Sequence, residues 1–303
     1  MIEIQRILCP IDFSDYSRHA LDHAAALARW YASSITVLYV HPIVPVAASG
    51  PGAPAFPPLV ATARDREVVL DSMRRFAQDE AGSDVPMTFE MAEGAAAPEI
   101  LARAARDPSI QLLVMGTHGR SGFERLVLGS ITEKVLRKAS CPLLSVPPRA
   151  GDVAPVAPLF RRILCAVDFS ECSLQALNYA MSIAQEADAH LTVLHVLELP
   201  LEAQELLAGE SDAVREYTAG AAAERRERLR TAVPDAVRAY CTVDTQLATG
   251  KPYREILRVA GEERSDLVVI GIHGHGAADL FFFGSTAQHV VRAAACPVLT
   301  LRR

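Results

Sequence analysis

The stretches RILCPIDFS at residues 6–14 and RILCAVDFS at residues 162–170 decide the organisation of this sequence. They are identical at seven of nine positions and lie 156 residues apart. Further along, residues 116–130 resemble residues 271–285 at an offset of 155. A repeat at a nearly constant offset indicates a tandem duplication, in which each copy folds as one domain.

The length of the chain agrees with this organisation, because 303 residues at about 100 to 200 residues per domain correspond to two domains. A polar and proline-rich stretch, PPRAGDVAPVAP, separates the copies and is typical of a semi-rigid linker. We therefore predict a first domain over residues 1–148, a linker over residues 149–159 and a second domain over residues 160–303.

Composition and charge exclude several classes of protein. With 50% hydrophobic and 22% charged residues, the chain is too apolar for intrinsic disorder. The formal net charge of −6 argues against nucleic acid as a partner. No run of 18 apolar residues is present and the first residues include charges, so we expect a cytoplasmic protein with no membrane contact. The six cysteines form no CxxC pair and are expected to be reduced.

Each copy alternates apolar runs with helical patterns, which predicts an α/β fold with parallel strands. In the first copy, the pattern predicts strands at 7–11, 35–40, 87–91, 112–115 and 143–146, and helices at 18–30, 64–78, from 98, and at 130–138. Ser14 or Ser17 is expected to cap the first helix. Residues 41–58 are predicted to form a surface loop, whereas residues 201–230 of the second copy have a helical pattern.

Two loops of each copy are expected to meet where ligands bind in such sheets, beyond the carboxyl ends of the strands. Asp12 and Asp168 follow the first strands, and the spacing G-x2-G-x9-G-Ser follows the fourth strand of both copies. Glycines permit positive φ and close backbone approach, and the start of a helix attracts phosphate. Two alternatives remain open: the glycines only make turns, and each aspartate only caps a helix. Neither GxxxxGK[ST] nor GxGxxG is present.

The repeated glycine spacing, in two copies that cover nearly the whole chain, resembles the ATP-binding branch of the universal stress protein family. This resemblance implies a doubly wound, five-stranded parallel sheet in each domain, in order 3-2-1-4-5, with helices on both faces. It also implies ATP between strands 1 and 4, with Mg²⁺ as an optional companion.

The resemblance also implies which residues meet the nucleotide. The adenosine end is Pro10, Asp12 and Val40; the ribose and phosphates meet Met115, Gly116, His118 and Gly119; and the phosphate tail meets Gly129, Ser130 and Thr132. The matching positions of the second copy are Ala166, Asp168, Val196, Ile270, Gly271, His273, Gly274, Gly284 and Ser285.

The function implied by the resemblance is a role in the stress response through nucleotide-dependent conformation or binding of an unidentified regulatory protein. A homodimer is compatible with the sequence but is not decided by it. We do not predict an efficient enzyme, because only Asp12 and the region of Ser130 offer groups suited to phosphoryl transfer. The alternatives are a slow ATPase or phosphotransferase and a nucleotide-independent interaction module.

The second copy departs from the first in ways that predict weaker nucleotide binding. Thr132 is replaced by Ala287, and the positions of Arg120 and Arg125 hold His275 and Leu280. One hydroxyl and two guanidinium groups are thereby lost, and each can donate to a phosphate. We therefore expect the first domain to bind nucleotide more tightly.

Histidine and cysteine chemistry is not predicted to carry the function. His19 and His23 have the i, i+4 spacing of a metal pair but no third ligand in the sequence, so no metal site is predicted. Cys9 and Cys165 lie within predicted strands and are expected to pack in the core.

Overall fold

The computed structural model describes residues 2–43, 61–81, 84–119, 128–148, 160–198, 212–272 and 284–302. Residues 3–148 form one compact unit, the first unit, and residues 160–302 form another, the second unit. The predicted linker and most of the predicted loop at 41–58 lie outside the described residues. The exact domain boundaries therefore stay a prediction.

The first unit is a five-stranded sheet in which every neighbouring pair of strands is parallel. Its strand order is β3-β2-β1-β4-β5, so the α/β class and the order implied by the resemblance are confirmed. The elements are β1 (Arg6–Ile11), α1 (Asp15–Tyr31), β2 (Ser34–His41), α2 (Ala63–Ala81), β3 (Met87–Glu93), α3 (Ala96–Arg106), β4 (Ile110–Gly116), α4 (Ser130–Lys138) and β5 (Leu143–Val146).

The second unit repeats this topology, with strand order β8-β7-β6-β9-β10 and parallel pairing throughout. Its elements are β6 (Arg162–Ala166), α5 (Glu171–Ala187), β7 (His190–Leu197), α6 (Asp212–Ala232), α7 (Asp235–Arg238), β8 (Val243–Thr249), α8 (Pro252–Glu262), β9 (Leu267–Gly271), α9 (Ser285–Ala293) and β10 (Val298–Leu301). The predicted helix at 201–230 is present from residue 212, and the short helix α7 was not predicted.

The central strands are buried because helices cover both faces of each sheet. Ile7, Leu8 and Cys9 of β1 have no exposed surface, and Leu164 and Cys165 of β6 are equally buried. Side chains pointing to both faces must then be apolar, which explains the continuous apolar run of each repeated stretch. Burial of each Ile or Leu stabilises the fold by about 1.5–3 kcal/mol.

Helix α1 begins at a serine cap, and the cap fixes the loop that leaves β1. The Ser14 hydroxyl accepts a hydrogen bond from the backbone N–H of Ser17 at 3.2 Å, and Ser170 accepts one from Ser173 at 3.3 Å. Of the two predicted caps, Ser14 is therefore correct. The helix begins three residues earlier than predicted, at Asp15, because the cap fixes its first turn.

Candidate functional site

In each unit a cavity lies at the carboxyl ends of the first and fourth strands, which is where ligands bind in doubly wound sheets. The cavity of the first unit, the first cavity, has a volume of about 450 Å³. All ten residues predicted for this site line it: Pro10, Asp12, Val40, Met115, Gly116, His118, Gly119, Gly129, Ser130 and Thr132. The structure thus brings together residues from β1, β2, β4 and α4 that are far apart in sequence.

The cavity of the second unit, the second cavity, has a volume of about 420 Å³. Seven of the nine residues predicted for it line it: Ala166, Asp168, Val196, Ile270, Gly271, Gly284 and Ser285. The other two, His273 and Gly274, lie outside the described residues. The same is true of Arg120, Arg125, His275 and Leu280, so their predicted effect on phosphate binding stays a prediction.

The first cavity has an apolar end and an end suited to anions. Pro10, Val40 and Ile100 are among the apolar residues that line it. Helix α4 begins at Ser130, which also lines the cavity, and its N-cap Gly129 provides no side chain to pair with the first backbone N–H groups. Unpaired N–H groups and the positive end of the helix dipole favour a phosphate there.

Asp12 positions the helix cap and does not cap the helix itself. Its Oδ1 accepts hydrogen bonds from the backbone N–H of Ser14 at 3.1 Å and from the Ser14 hydroxyl at 2.5 Å. Asp168 makes the same two bonds with Ser170, at 3.0 and 2.5 Å. The residue between each pair adopts the left-handed conformation, with φ of 62° at Phe13 and 63° at its counterpart in the second unit. Asp12 and Asp168 therefore support the serine caps, and their role toward a ligand stays a prediction.

The described glycines of the motif allow neighbouring backbone and side-chain atoms to approach closely, and none of them has a positive φ. A Cβ on Gly119 would lie 2.9 Å from Oδ2 of Asp12, so this glycine lets the two cavity-lining loops meet. A Cβ on Gly129 would lie 2.9 Å from the carbonyl oxygen of Thr117. Among the described glycines, positive φ occurs at Gly94 and Gly250, outside the motif. Of the two properties that glycine permits, the described motif glycines therefore use close approach.

Thr132 lines the first cavity, but its hydroxyl has another partner. It donates a hydrogen bond to the carbonyl oxygen of Gly116 at 2.8 Å, and the residue is only 3% exposed. The expected donation from this hydroxyl to a phosphate is therefore corrected, because its proton is used by the backbone. In the second cavity, Ala287 has no hydroxyl, but Thr286 lines the wall where the first cavity has Ile131.

His118 lines the first cavity beside the motif glycines. Its Nδ1 lies 2.9 Å from the Thr117 hydroxyl, and its ring centroid lies 5.6 Å from that of Tyr16. The geometry therefore favours a packing and hydrogen-bonding role for His118 at the cavity wall.

The segment that follows the third strand of each unit also contributes to the cavity, which the sequence pattern did not predict. Gly94 and Ile100 line the first cavity, and Ile256 lines the second. The signal was present in the repeat, because Gly-x4-Glu-Ile occurs at residues 94–100 and again at residues 250–256. In both units the glycine N–H donates to the end of the second strand, at 2.9 Å in the first unit and 3.1 Å in the second.

Metal and thiol chemistry find no support within the described residues. They contain no group of three or more His, Cys, Asp or Glu side chains suited to a metal ion, and His23 Nδ1 lies 2.8 Å from the carbonyl oxygen of His19. Burial raises the pKa of the Cys9 and Cys165 thiols far above the usual range, and that of Cys141 to about 11. Such thiols stay protonated and unreactive at neutral pH.

The described part of the chain contains no helix with the length and apolarity of a membrane span.

Comparisons with known proteins agree with the fold and the repeat. The model of the universal stress protein family matches residues 3–147 and again residues 159–302. A universal stress protein of Mycolicibacterium smegmatis is 26% identical over 304 aligned residues, covering 98% of this chain and 96% of that protein. One from Thermus aquaticus is 36% identical over 145 residues, covering 48% of this chain and 100% of that protein.

Among solved structures, that of a universal stress protein from Archaeoglobus fulgidus has a TM-score of 0.64 at 22% identity, and the match covers 99% of this chain and 97% of that chain. This likeness shows the fold over nearly the whole chain. Together with the two matches of the family model, it accounts for both units. The chain belongs to the universal stress protein family, with two family domains in tandem.

Proposed function

We propose that this chain binds ATP in the first cavity, holds a nucleotide in the second cavity as well, and acts in the stress response as a cytoplasmic, nucleotide-dependent regulator of a partner protein. The observation that carries the proposal is that one cavity collects all ten residues implied for ATP. That cavity joins an apolar end to the start of a helix, which is the arrangement that a nucleoside polyphosphate requires.

The described side chains support specific roles in holding ATP. The adenine ring packs between Pro10 and Val40, whose apolar surfaces line the cavity. Asp12 accepts hydrogen bonds from nucleoside N–H or O–H groups, because an ionised carboxylate is an acceptor only. The phosphates lie at Ser130, which lines the cavity at the start of α4. Where Mg²⁺ accompanies ATP, the hydroxyl of Ser130 and the phosphates would supply oxygen ligands of the kind that this ion prefers.

Binding without efficient turnover is the activity that we propose. Phosphoryl transfer needs a group that orients the nucleophile and charges that stabilise the transition state. Asp12 already accepts two hydrogen bonds from Ser14, and His118 contacts Thr117 and Tyr16. The described cavity wall therefore favours a regulator over a phosphotransferase. A homodimer stays a prediction, which light scattering on the purified chain would test.

Titration calorimetry of the full chain with ATP tests the proposal. ATP at about one hundred times its dissociation constant would stabilise the fold by about 2.7 kcal/mol and raise the melting temperature. Val40→Trp would fill the apolar end and abolish binding to the first cavity, while Val196→Trp is the matched change in the second. Absence of any ATP binding would contradict the proposal and favour an interaction module. Sustained phosphate release above a nucleotide-free control would favour a phosphotransferase.

A further inference from the structure

The two cavities differ in charge at one equivalent position. Pro42 is the first residue after β2 and lines the first cavity, whereas Glu198 is the first residue after β7 and lines the second. The two residues are 156 positions apart, the same offset as in the repeated first strands. The second cavity therefore has the side chain of an exposed glutamate at its edge, besides Asp168, where the first cavity has the exposed ring of a proline.

The strand order places this carboxylate away from the end suited to phosphate. Glu198 follows β7, whereas α9 follows β9, and these strands lie on opposite sides of β6. Neighbouring strands are about 4.8 Å apart, so the two positions are separated by roughly 10 Å. A base at one end and phosphates at the other span such a distance. Since carboxylate and phosphate repel each other, Glu198 is suited to the base and not to the phosphates.

A carboxylate distinguishes the two purine bases by their hydrogen-bonding edges. Ionised Glu accepts hydrogen bonds at both oxygens and donates none. Guanine presents two adjacent donors, N1–H and the exocyclic amine, which match both oxygens at once. Adenine presents one amine beside the lone pair of N1, so one carboxylate oxygen would face an acceptor. Bidentate contacts of this kind discriminate between bases by about 5- to 150-fold.

We propose that the second cavity selects a guanine nucleotide and that Glu198 is the residue that reads the base. The inference rests on the proposed function, because it assumes that the cavities hold nucleotides. Thr286 supports the phosphate end, since its side chain lines the wall beside Ser285 at the start of α9. The first turn of α9 also has no acidic residue, whereas that of α4 contains Glu133. The two units of one chain thus bind different purines.

Calorimetry of the full chain with GTP and with ATP tests this inference through a reciprocal pair of variants. For the wild type we expect one GTP site and one ATP site per chain. Glu198→Gln keeps the size of the side chain but removes its charge, and it should weaken GTP binding by about 5- to 150-fold while leaving the ATP site unchanged. Pro42→Glu places the carboxylate in the first cavity and should create a second GTP site.

The outcomes separate the inference from the proposed function. ATP binding to both cavities with no preference for GTP would overturn the role of Glu198 and leave the proposed function intact. An unchanged affinity for GTP in Glu198→Gln would overturn it as well. Absence of binding by either nucleotide would overturn both proposals together. Circular dichroism of both variants verifies that a loss of binding is not a loss of fold.

Discussion

The hydroxyl of Thr132 donates a hydrogen bond to the carbonyl oxygen of Gly116 at 2.8 Å. Gly116 is the last residue of β4 and Thr132 lies in the first turn of α4, so the bond ties the helix to the strand whose end forms the cavity wall. The second unit has Ala287 at the corresponding position and no hydroxyl to make this bond. The start of α4 is therefore tied to its strand by a hydrogen bond that the start of α9 lacks at the corresponding position.

Thr132→Val should lower the free energy of unfolding of the full chain by about 1 kcal/mol, because it keeps the shape of the side chain and removes one hydrogen bond. Urea unfolding measures the change. Thr132→Ser keeps the hydroxyl and is the matched control for the loss of the donor. If the Thr132→Val chain were as stable as the wild type, the hydrogen bond to Gly116 would contribute nothing to the free energy of unfolding.

Asp12→Ala should weaken ATP binding by the first cavity about 10- to 100-fold, the range of a hydrogen bond to a charged group. Ser14→Ala is the control, because it removes the helix cap and should cost about 1 kcal/mol of stability. Calorimetry and thermal unfolding of both variants separate binding from stability. If Ser14→Ala weakened ATP binding as much as Asp12→Ala, order in the loop and not the carboxylate would explain the loss.

Gly119→Ala should weaken ATP binding, since its Cβ would lie 2.9 Å from Oδ2 of Asp12 and one of the two loops must shift. Gly220→Ala is a matched control in α6, where nothing lies within 4 Å of the added Cβ. That change should stabilise the helix by about 1 kcal/mol, because alanine favours helix interiors over glycine. ATP affinity and melting temperature are measured for both. An unchanged ATP affinity in Gly119→Ala would contradict the requirement for a glycine where this loop approaches Asp12.

His195 should make the stability of the chain depend on pH. The residue is 7% exposed, and its Nδ1 lies 2.7 Å from the carbonyl oxygen of Val167. Burial lowers the pKa of His195, the charges of Arg225 and Arg228 act in the same direction, and the bond to Val167 and the charge of Asp168 oppose them. The imidazole is therefore neutral in the folded chain at pH 7.

The sign of this dependence follows from proton binding. Below about pH 6.5 the unfolded chain binds a proton at His195 that the folded chain rejects, so stability falls as pH falls through this window. Unfolding free energies measured between about pH 5 and pH 7.5 test this. His195→Tyr copies the first unit, which has Tyr39 at this position, and should remove that part of the dependence. The same pH dependence in His195→Tyr would assign it to other groups.

The organisation of the chain could be predicted from sequence because it depends on local patterns and on a repeat. The apolar run from Ile7 was predicted as a strand, and the structure extends it by one residue, to Arg6–Ile11. Helix α4 and strand β5 have the predicted bounds. The predicted bounds of α1 and β3 were less accurate. The serine cap starts α1 before its hydrophobic pattern begins, and pairing with β2 continues β3 beyond its hydrophobic pattern.

The residues that line the site were predicted, but the hydrogen bonds of their side chains were not. The described residues among those implied by the resemblance line two cavities, because strand order brings the ends of β1 and β4, and of β6 and β9, together. The partners of Asp12 and Thr132 were not predictable, since each depends on where a side chain points after the helices pack. The positive φ of Gly94 and Gly250 was not predicted either, because these glycines lie outside the motif.

The sequence by itself determined the duplication, the alternation of strands and helices, and the glycine spacing at the start of α4 and α9, because these features are periodicities and distances along the chain. Only the tertiary structure decided that the Thr132 hydroxyl faces Gly116 and that Glu198 shares a cavity with Ser285. Those relationships join segments up to 87 residues apart, from 198 to 285, and depend on the parallel strands that place their ends side by side.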